Sequence, residues 1–78
     1  LNVFPNPAAD YLHIRINEVV TEGITYRLFN ANGKMLKQGT VQQTLQRVEL
    51  NRLPSGIYIL SIRFPNGKHI QQRITVMR

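Results

Sequence analysis

Apolar and polar residues alternate along most of this chain. In residues 11–16, Leu12, Ile14 and Ile16 occupy every second position, and polar or amphipathic residues fill the places between them. A period of two residues is that of a β-strand, whose side chains point in turn to its two faces. The pattern therefore predicts a strand here with one buried face.

The same reasoning divides the whole chain into about seven short strands and no helix. The predicted strands are residues 1–4, 11–16, 25–30, 35–41, 45–50, 57–64 and 69–77. Residues 17–23 are predicted as a loop, residues 42–44 as a polar connection and residues 51–56 as a corner. Residues 57–64 form the most apolar segment, which places them at the centre of a sheet. Short strands at even spacing are typical of an all-β, immunoglobulin-like antiparallel β-sandwich.

Prolines and glycines mark the boundaries between these strands. Pro5 and Pro7 end the first strand, because each removes a backbone donor and fixes a φ angle. The pair Asn32-Gly33 and residues 65–68 predict hairpin turns, since Asn and Gly tolerate positive φ. Gly39, inside a predicted strand, is a candidate β-bulge.

Two residues near the predicted corner suggest a structural role. Gly56 is expected either to have a backbone conformation that other residues avoid or to let a neighbouring strand come close. Tyr58, two residues later, is expected to bury its ring and to bond its hydroxyl to a backbone group a few residues upstream, as in a tyrosine corner.

Length and composition indicate one small domain. The 78 residues include no cysteine, and 42% of them are hydrophobic, which suits a folded domain. The longest apolar run, residues 57–60, is far shorter than the roughly 20 residues of a membrane helix. A chain that starts at Leu1 without a signal peptide is interpreted as a single domain, residues 1–78, excised from a larger protein.

The net charge of +6 bears on possible partners. The ten basic residues are scattered, so we interpret them first as solubilising groups on solvent-facing strands, with attraction to an acidic partner or lipid head group as the alternative. Nucleic-acid binding is not expected, because Tyr26, Phe29 and Tyr58 are assigned to the core. Only Tyr11 is placed to stack on a base.

The chain offers little catalytic chemistry. His13 and His69 are the two imidazoles, and both are assigned to polar strand faces or a turn edge. Ser55 and Ser61 lie outside any nucleophile-elbow motif, and Asp10 suits a turn. We therefore expect no catalytic, cofactor or metal site and no enzyme activity from this domain.

Three segments, followed by a basic last strand, carry a resemblance to a known family. They are Asn-Val-Phe-Pro-Asn-Pro-Ala-Ala-Asp at residues 2–10, Tyr-Arg-Leu-Phe-Asn-Ala-Asn-Gly-Lys at residues 26–34, and Leu-Pro-Ser-Gly-Ile-Tyr-Ile-Leu at residues 53–60. The last strand of the resemblance is residues 72–78. The set, in this order and over nearly the whole chain, resembles the type A C-terminal sorting domain of the type IX secretion system. One departure is Arg73, where the family often has Lys.

This resemblance implies a secretion signal for an upstream cargo. Such cargo reaches the periplasm first and is then exported to the cell surface, the outer membrane or the medium. The implied partners are the type IX outer-membrane translocon, a shuttle protein and a surface sortase that joins the cargo to anionic lipopolysaccharide.

The residues expected to act in recognition come from the same motifs. They are Pro5, Asn6, Pro7, Gly33, Lys34, Gly56, Tyr58, Arg73, Ile74, Thr75, Val76, Met77 and Arg78. The last six are expected to form a terminal strand that offers an unpaired edge to a partner, while Gly56 and Tyr58 hold the fold. The rival function is an immunoglobulin-like adhesion or carbohydrate-binding module, and exposed edge strands leave pairing between copies open.

Overall fold

The alternating segments form β-strands in the computed structural model, which describes residues 1–20 and 22–78. Over these residues the strands are β1 (Asn2–Phe4), β2 (Tyr11–Arg15), β3 (Thr25–Asn30), β4 (Met35–Thr40), β5 (Leu45–Glu49), β6 (Gly56–Arg63) and β7 (His69–Val76). Each lies within one or two residues of its predicted bounds. The predicted loop at residues 17–23 includes Thr21, which lies outside the described residues. No helix in the described part of the chain is long and apolar enough to cross a bilayer.

The strands make two antiparallel sheets. One sheet has the order β1-β2-β5, and the other has the order β4-β3-β6-β7. The chain passes from one sheet to the other between β2 and β3, between β4 and β5, and again between β5 and β6. Strand β6 is internal to its sheet, as its apolar sequence predicted. Three strands facing four with crossovers of this kind confirm the predicted immunoglobulin-like sandwich.

Alternate residues of both sheets form the core between them. The fully buried large side chains are Leu12, Ile14, Ile24, Leu28, Val41, Val48, Leu50, Leu60, Ile62, Ile74 and Val76. In β6 and β7 the buried hydrophobic residues are even-numbered, so the odd-numbered residues point away from the core. Burying one such aliphatic side chain contributes about 1.5–3 kcal/mol, which makes the period of two the main determinant of this fold.

The β3–β4 and β6–β7 hairpins share the turn sequence Asn-Gly-Lys. The glycines, Gly33 and Gly67, have φ of +87° and +90°. In the first turn the Gly33 N–H donates to the Asn30 carbonyl at 3.0 Å, and the Asn30 side chain accepts the N–H groups of Asn32 and Lys34. This is a three-residue loop that needs positive φ at its glycine. The predicted hairpins are confirmed, and Asn30 is a turn residue that the sequence did not single out.

Gly39 is not the bulge that the sequence suggested. The register of β3 against β4 shifts between Leu28 and Phe29, which leaves Leu36 as the extra residue. Gly39 instead lies directly opposite Tyr26. A Cβ atom at Gly39 would lie 2.5–2.8 Å from the Tyr26 ring and hydroxyl, so the position requires glycine because an aromatic side chain lies on it.

Candidate functional site

The predicted recognition segment at residues 5–7 lies along the outer edge of β7. The Asn6 side-chain amide donates to the Arg73 carbonyl at 3.2 Å, and the Thr75 N–H donates to the Asn6 Oδ1 at 3.0 Å. The two peptide bonds that precede Pro5 and Pro7 are cis. One asparagine side chain thus pairs with two backbone groups of a strand nearly 70 positions away.

Ala8 also forms hydrogen bonds with the outer edge of β7. Its N–H donates to the Thr75 carbonyl and its carbonyl accepts the Met77 N–H, both at 2.8 Å. Ala8 is buried and pairs in parallel with Val76. The edge of β7 from Arg73 to Met77 is therefore already hydrogen-bonded. The expectation that this stretch offers an unpaired edge was wrong, because the chain after β1 covers it.

Arg78 joins the end of the chain to the segments around Asp10 and Leu53. Its Nε donates to the Leu53 carbonyl at 2.6 Å, and its guanidinium meets the Asp10 carboxylate at 2.8 Å. Its backbone N–H donates to the Ser55 hydroxyl at 3.0 Å. The Arg78 side chain is only 29% exposed. We call residues 6–10, 53–55 and 73–78 the terminal seam, because hydrogen bonds between these three segments close the domain.

The terminal segment divides into core and surface residues. Ile74 is 0% exposed and Val76 is 1% exposed, so both belong to the core. Arg73 is exposed, and Met77 is 62% exposed. Arg73 and Met77 are therefore open to direct contact with a partner, whereas Ile74 and Val76 hold the strand in place.

The tyrosine-corner geometry is present at the predicted position. The Tyr58 hydroxyl donates to the Pro54 carbonyl at 2.6 Å, and the ring is buried. Gly56 has φ of +158°, and nothing lies within 4 Å of the position that its Cβ atom would take. Of the two explanations expected for Gly56, positive φ fits and close approach of a neighbouring strand does not.

Gly33 and Lys34 lie exposed at the tip of the β3–β4 hairpin. The pairing of Asn30 with Tyr58 places this tip at the same end of the sandwich as Gly56. Most of the predicted recognition residues thus converge on one end and one edge of the domain.

The outer face of the three-stranded sheet carries an aromatic cluster. The His13 ring lies 5.5 Å from Phe4 and 5.1 Å from Tyr11. The Arg47 guanidinium covers Tyr11 at 4.2 Å, and Arg15 lies over Phe4 at 5.2 Å. A sugar-binding platform needs free ring faces, and here one face of each of these two rings is occupied by a cation. No group of metal-binding residues occurs in residues 1–20 and 22–78.

Sequence reasoning misplaced one aromatic residue and missed several contacts. Phe29 was assigned to the core, but it is half-buried on the outer face of the four-stranded sheet, because Tyr26 and Leu28 take the inward positions. The alternation of side chains along β3 indicates this position, because Phe29 follows the inward-facing Leu28 by one residue and so points to the other face. The contacts of Asn6 and the Asp10–Arg78 ion pair join residues far apart in the chain, and nothing in the local sequence indicates them.

Replacing Asn6 with alanine is expected to loosen the terminal seam. The change removes both hydrogen bonds of the Asn6 side chain, which at this exposed position should cost about 1 kcal/mol of unfolding free energy. Urea denaturation measures this loss. Hydrogen exchange should show faster exchange of the Thr75 N–H, whose acceptor is gone, than in the parent.

The matched control is Asn2→Ala, at an exposed position of β1. It should leave both the unfolding free energy and the Thr75 exchange rate close to those of the parent. If the Thr75 N–H exchanges at the same rate in the Asn6→Ala variant as in the parent, Asn6 does not hold this edge of β7 in solution.

Comparison with known proteins gives two findings. The sequence model of a family described as "Secretion system C-terminal sorting domain" matches residues 2–77. Beta-agarase D of Zobellia galactanivorans is 32% identical over 77 residues, which cover 97% of this chain. The chain spans about 15% of the length of that relative. No solved structure matches the chain.

Proposed function

This chain belongs to the family of C-terminal sorting domains of the type IX secretion system, and we propose that it acts as a folded export signal for a cargo joined upstream of it. Membership of this family implies interaction with the secretion machinery and export to the cell surface or the medium. The family is one of secretion signals rather than of catalysts. The observation that carries the proposal is the match of the family over residues 2–77.

The structure supports a signal that is read in its folded form. The three sequence motifs of the resemblance are held together in one compact unit by hydrogen bonds that span the chain, such as that from Thr75 to Asn6 at 3.0 Å. A linear signal would need no such long-range contacts. We therefore propose that a partner recognises the assembled surface rather than an extended tail.

We propose a sequence of partners for this signal. The cargo passes through the periplasm, the outer-membrane translocon and a shuttle protein engage the domain, and a surface sortase removes it and joins the cargo to anionic lipopolysaccharide. The domain would be carried by a larger exported protein. Similarity to a short part of a beta-agarase, an enzyme much longer than this chain, fits that arrangement.

The proposal is tested by fusing residues 1–78 to a signal-peptide-bearing fluorescent reporter in a bacterium that has this secretion system. We expect reporter on the cell surface or in the medium of this host. In an isogenic strain without the translocon, the reporter should stay in the periplasm. Reporter retained in both strains, or exported equally without the domain, would contradict the proposed function.

The same fusion separates delivery from attachment. A reporter that gains the mass of lipopolysaccharide and loses the domain supports the sortase step. Export of an unmodified, uncleaved fusion would leave delivery supported and would exclude attachment. Binding of the isolated domain to a glycan array, together with failure of export, would favour the adhesion or carbohydrate-binding alternative.

A further inference from the structure

The outer face of the four-stranded sheet, which points away from the core, has no covering element within the described residues. Strand register arranges its side chains in three rows, which are Met35-Phe29-Ile59-Arg73, Gln38-Arg27-Ser61-Gln71 and Thr40-Thr25-Arg63-His69. Ile57 lies beside the first row and is 48% exposed. The first row is apolar except at its β7 end, and the other two rows are polar and basic.

A shallow pocket of about 110 Å³ lies within the two polar rows. Arg27 and Arg63 both line it. They occupy diagonal positions on neighbouring strands, because Arg27 pairs with Ser61 and Arg63 pairs with Thr25. Such positions are about 7–8 Å apart, so two guanidinium groups can reach one small ligand.

The base of this pocket is polar and organised. Ser61 is mostly buried, and its hydroxyl is hydrogen-bonded to the His69 Nε2 at 2.5 Å. Gln71 lies opposite Ser61 and also lines the pocket. The pocket therefore presents hydrogen-bond donors around a volume that suits a single carboxylate or phosphate group.

Charge favours an anion in this pocket. None of the four acidic residues lies on the outer face of the four-stranded sheet. They lie in loops or on β5, and are Asp10, Glu18, Glu22 and Glu49. Among the described residues, the ion pairs join Arg47 to Glu49 and Arg78 to Asp10, and neither Arg27 nor Arg63 has a carboxylate partner. Two arginines directed at one pocket without a counter-charge are complementary to an acidic group from another molecule.

The apolar row beside the pocket indicates a protein partner. Phe29 lies between Met35, which is 43% exposed, and Ile59. Aromatic, Met and Arg side chains together are typical of protein interfaces. Anionic lipid surfaces are instead bound by clusters of about four to eight basic residues, whereas this face has three arginines. Lys34 and Lys68 lie between the strands, at the hairpin turns, and Lys37 pairs with the inward-facing Leu28.

We propose that the outer face is the docking surface of this domain, and that the pocket takes an aspartate or glutamate side chain of a partner protein. The carboxylate binds between Arg27 and Arg63, and apolar side chains of the same partner pack on Phe29 and Ile59. This inference rests on the proposed function, since the partner is then a protein of the secretion machinery.

The first test reverses the charge of the pocket. The double variant Arg27→Glu/Arg63→Glu, fused to the reporter, should be exported at least about tenfold less than the parent. The matched control Arg15→Glu/Arg52→Glu makes the same change in net charge away from the outer face of the four-stranded sheet. It should be exported within about twofold of the parent. Circular dichroism and thermal unfolding of the isolated domains establish that both variants fold.

The outcomes separate this inference from the proposed function. If the reporter is exported equally without the domain, the proposed function fails. If export needs the domain but Arg27→Glu/Arg63→Glu is exported like the parent, only the docking surface fails. If the control loses as much export as the pocket variant, the effect is one of net charge and the pocket is not specific.

The second test identifies what lies against the pocket. A photo-crosslinking amino acid at Gln71 should form an adduct with a secretion-system protein, at a segment that contains Asp or Glu. The same group at Gln43, in the connection between β4 and β5, should not. Reversing the acidic residue of that segment to Arg should restore export of Arg27→Glu/Arg63→Glu. A lipid adduct, no adduct at Gln71 while export continues, or failure to restore export would overturn the proposal.

Discussion

Removing residues 74–78 is expected to unfold this domain and not only to delete a label. The deletion takes away Ile74 and Val76, which are both fully buried, and all three hydrogen bonds of Arg78. Loss of one buried aliphatic side chain costs about 2–5 kcal/mol. A domain of this size has roughly 4–12 kcal/mol of stability in total. The truncated chain should therefore show no cooperative thermal transition by circular dichroism.

The comparison variant changes two exposed residues in and beside this segment and leaves the buried ones intact. Arg73→Glu/Met77→Ser keeps the buried side chains and the backbone contacts of Asn6 and Ala8. Its melting temperature should stay within about 4 °C of the parent. A truncated protein that melts cooperatively at the midpoint of the parent would show that these residues are not part of the core in solution.

This pair of variants changes how an export experiment on the terminal segment is interpreted. Loss of export on truncation follows from unfolding alone, because a folded signal would no longer exist. Loss of export in Arg73→Glu/Met77→Ser at an unchanged melting temperature would assign recognition to the exposed side chains. The structure thus separates two effects that the sequence motif combines in one stretch.

The strands were predictable because their signal is local. Leu12 and Ile14 alternate with polar neighbours, and the Asn-Gly pairs mark the hairpins that join β3 to β4 and β6 to β7. Each of these features depends on residues within a few positions of one another. Burial of alternate side chains then leaves few arrangements other than a sandwich. The sequence therefore indicated the architecture well.

The candidate surfaces were not predictable in the same way. Asn6 meets Thr75 across 69 positions, and Asp10 meets Arg78 across 68. Which residues meet at such a separation depends on strand order and register, and alternation along one strand determines neither. The juxtaposition of Arg27 with Ser61 on the outer face has the same origin, because it depends on how β3 pairs with β6.

Introducing a methyl group at Gly39 is expected to destabilise the domain by about 1–3 kcal/mol. The Cβ atom of Gly39→Ala would lie 2.5 Å from the Tyr26 hydroxyl and 2.7 Å from its Cζ, closer than atoms can pack. Tyr26 is buried, so its ring can move away only by exposing apolar surface. Alanine has a higher strand propensity than glycine at most positions, and the sign of the effect therefore depends on this one contact. Urea denaturation measures the change.

A second readout reports where the Tyr26 ring goes. Burial raises the pKa of the Tyr26 phenol in the parent. In Gly39→Ala an expelled ring would be solvated, and NMR titration of its ring carbons should give a lower pKa than in the parent. The native state keeps the phenol proton at a pH at which the unfolded chain has already lost it. The parent should therefore lose stability as the pH rises from the ordinary pKa of tyrosine to the raised pKa of Tyr26. The variant should lose less stability over the same range.

The double variant Tyr26→Ala/Gly39→Ala decides whether the ring is the cause. Tyr26→Ala removes the contact, so adding Gly39→Ala to it should cost much less than the same change costs in the parent, and the two effects should not add. Equal costs in both backgrounds would mean that the backbone at Gly39, rather than the Tyr26 ring, requires glycine. Strand β4 is an edge strand and Tyr26 lies opposite Gly39 on the neighbouring strand β3. Non-additive costs would establish that this cross-strand contact is the reason why the position requires glycine.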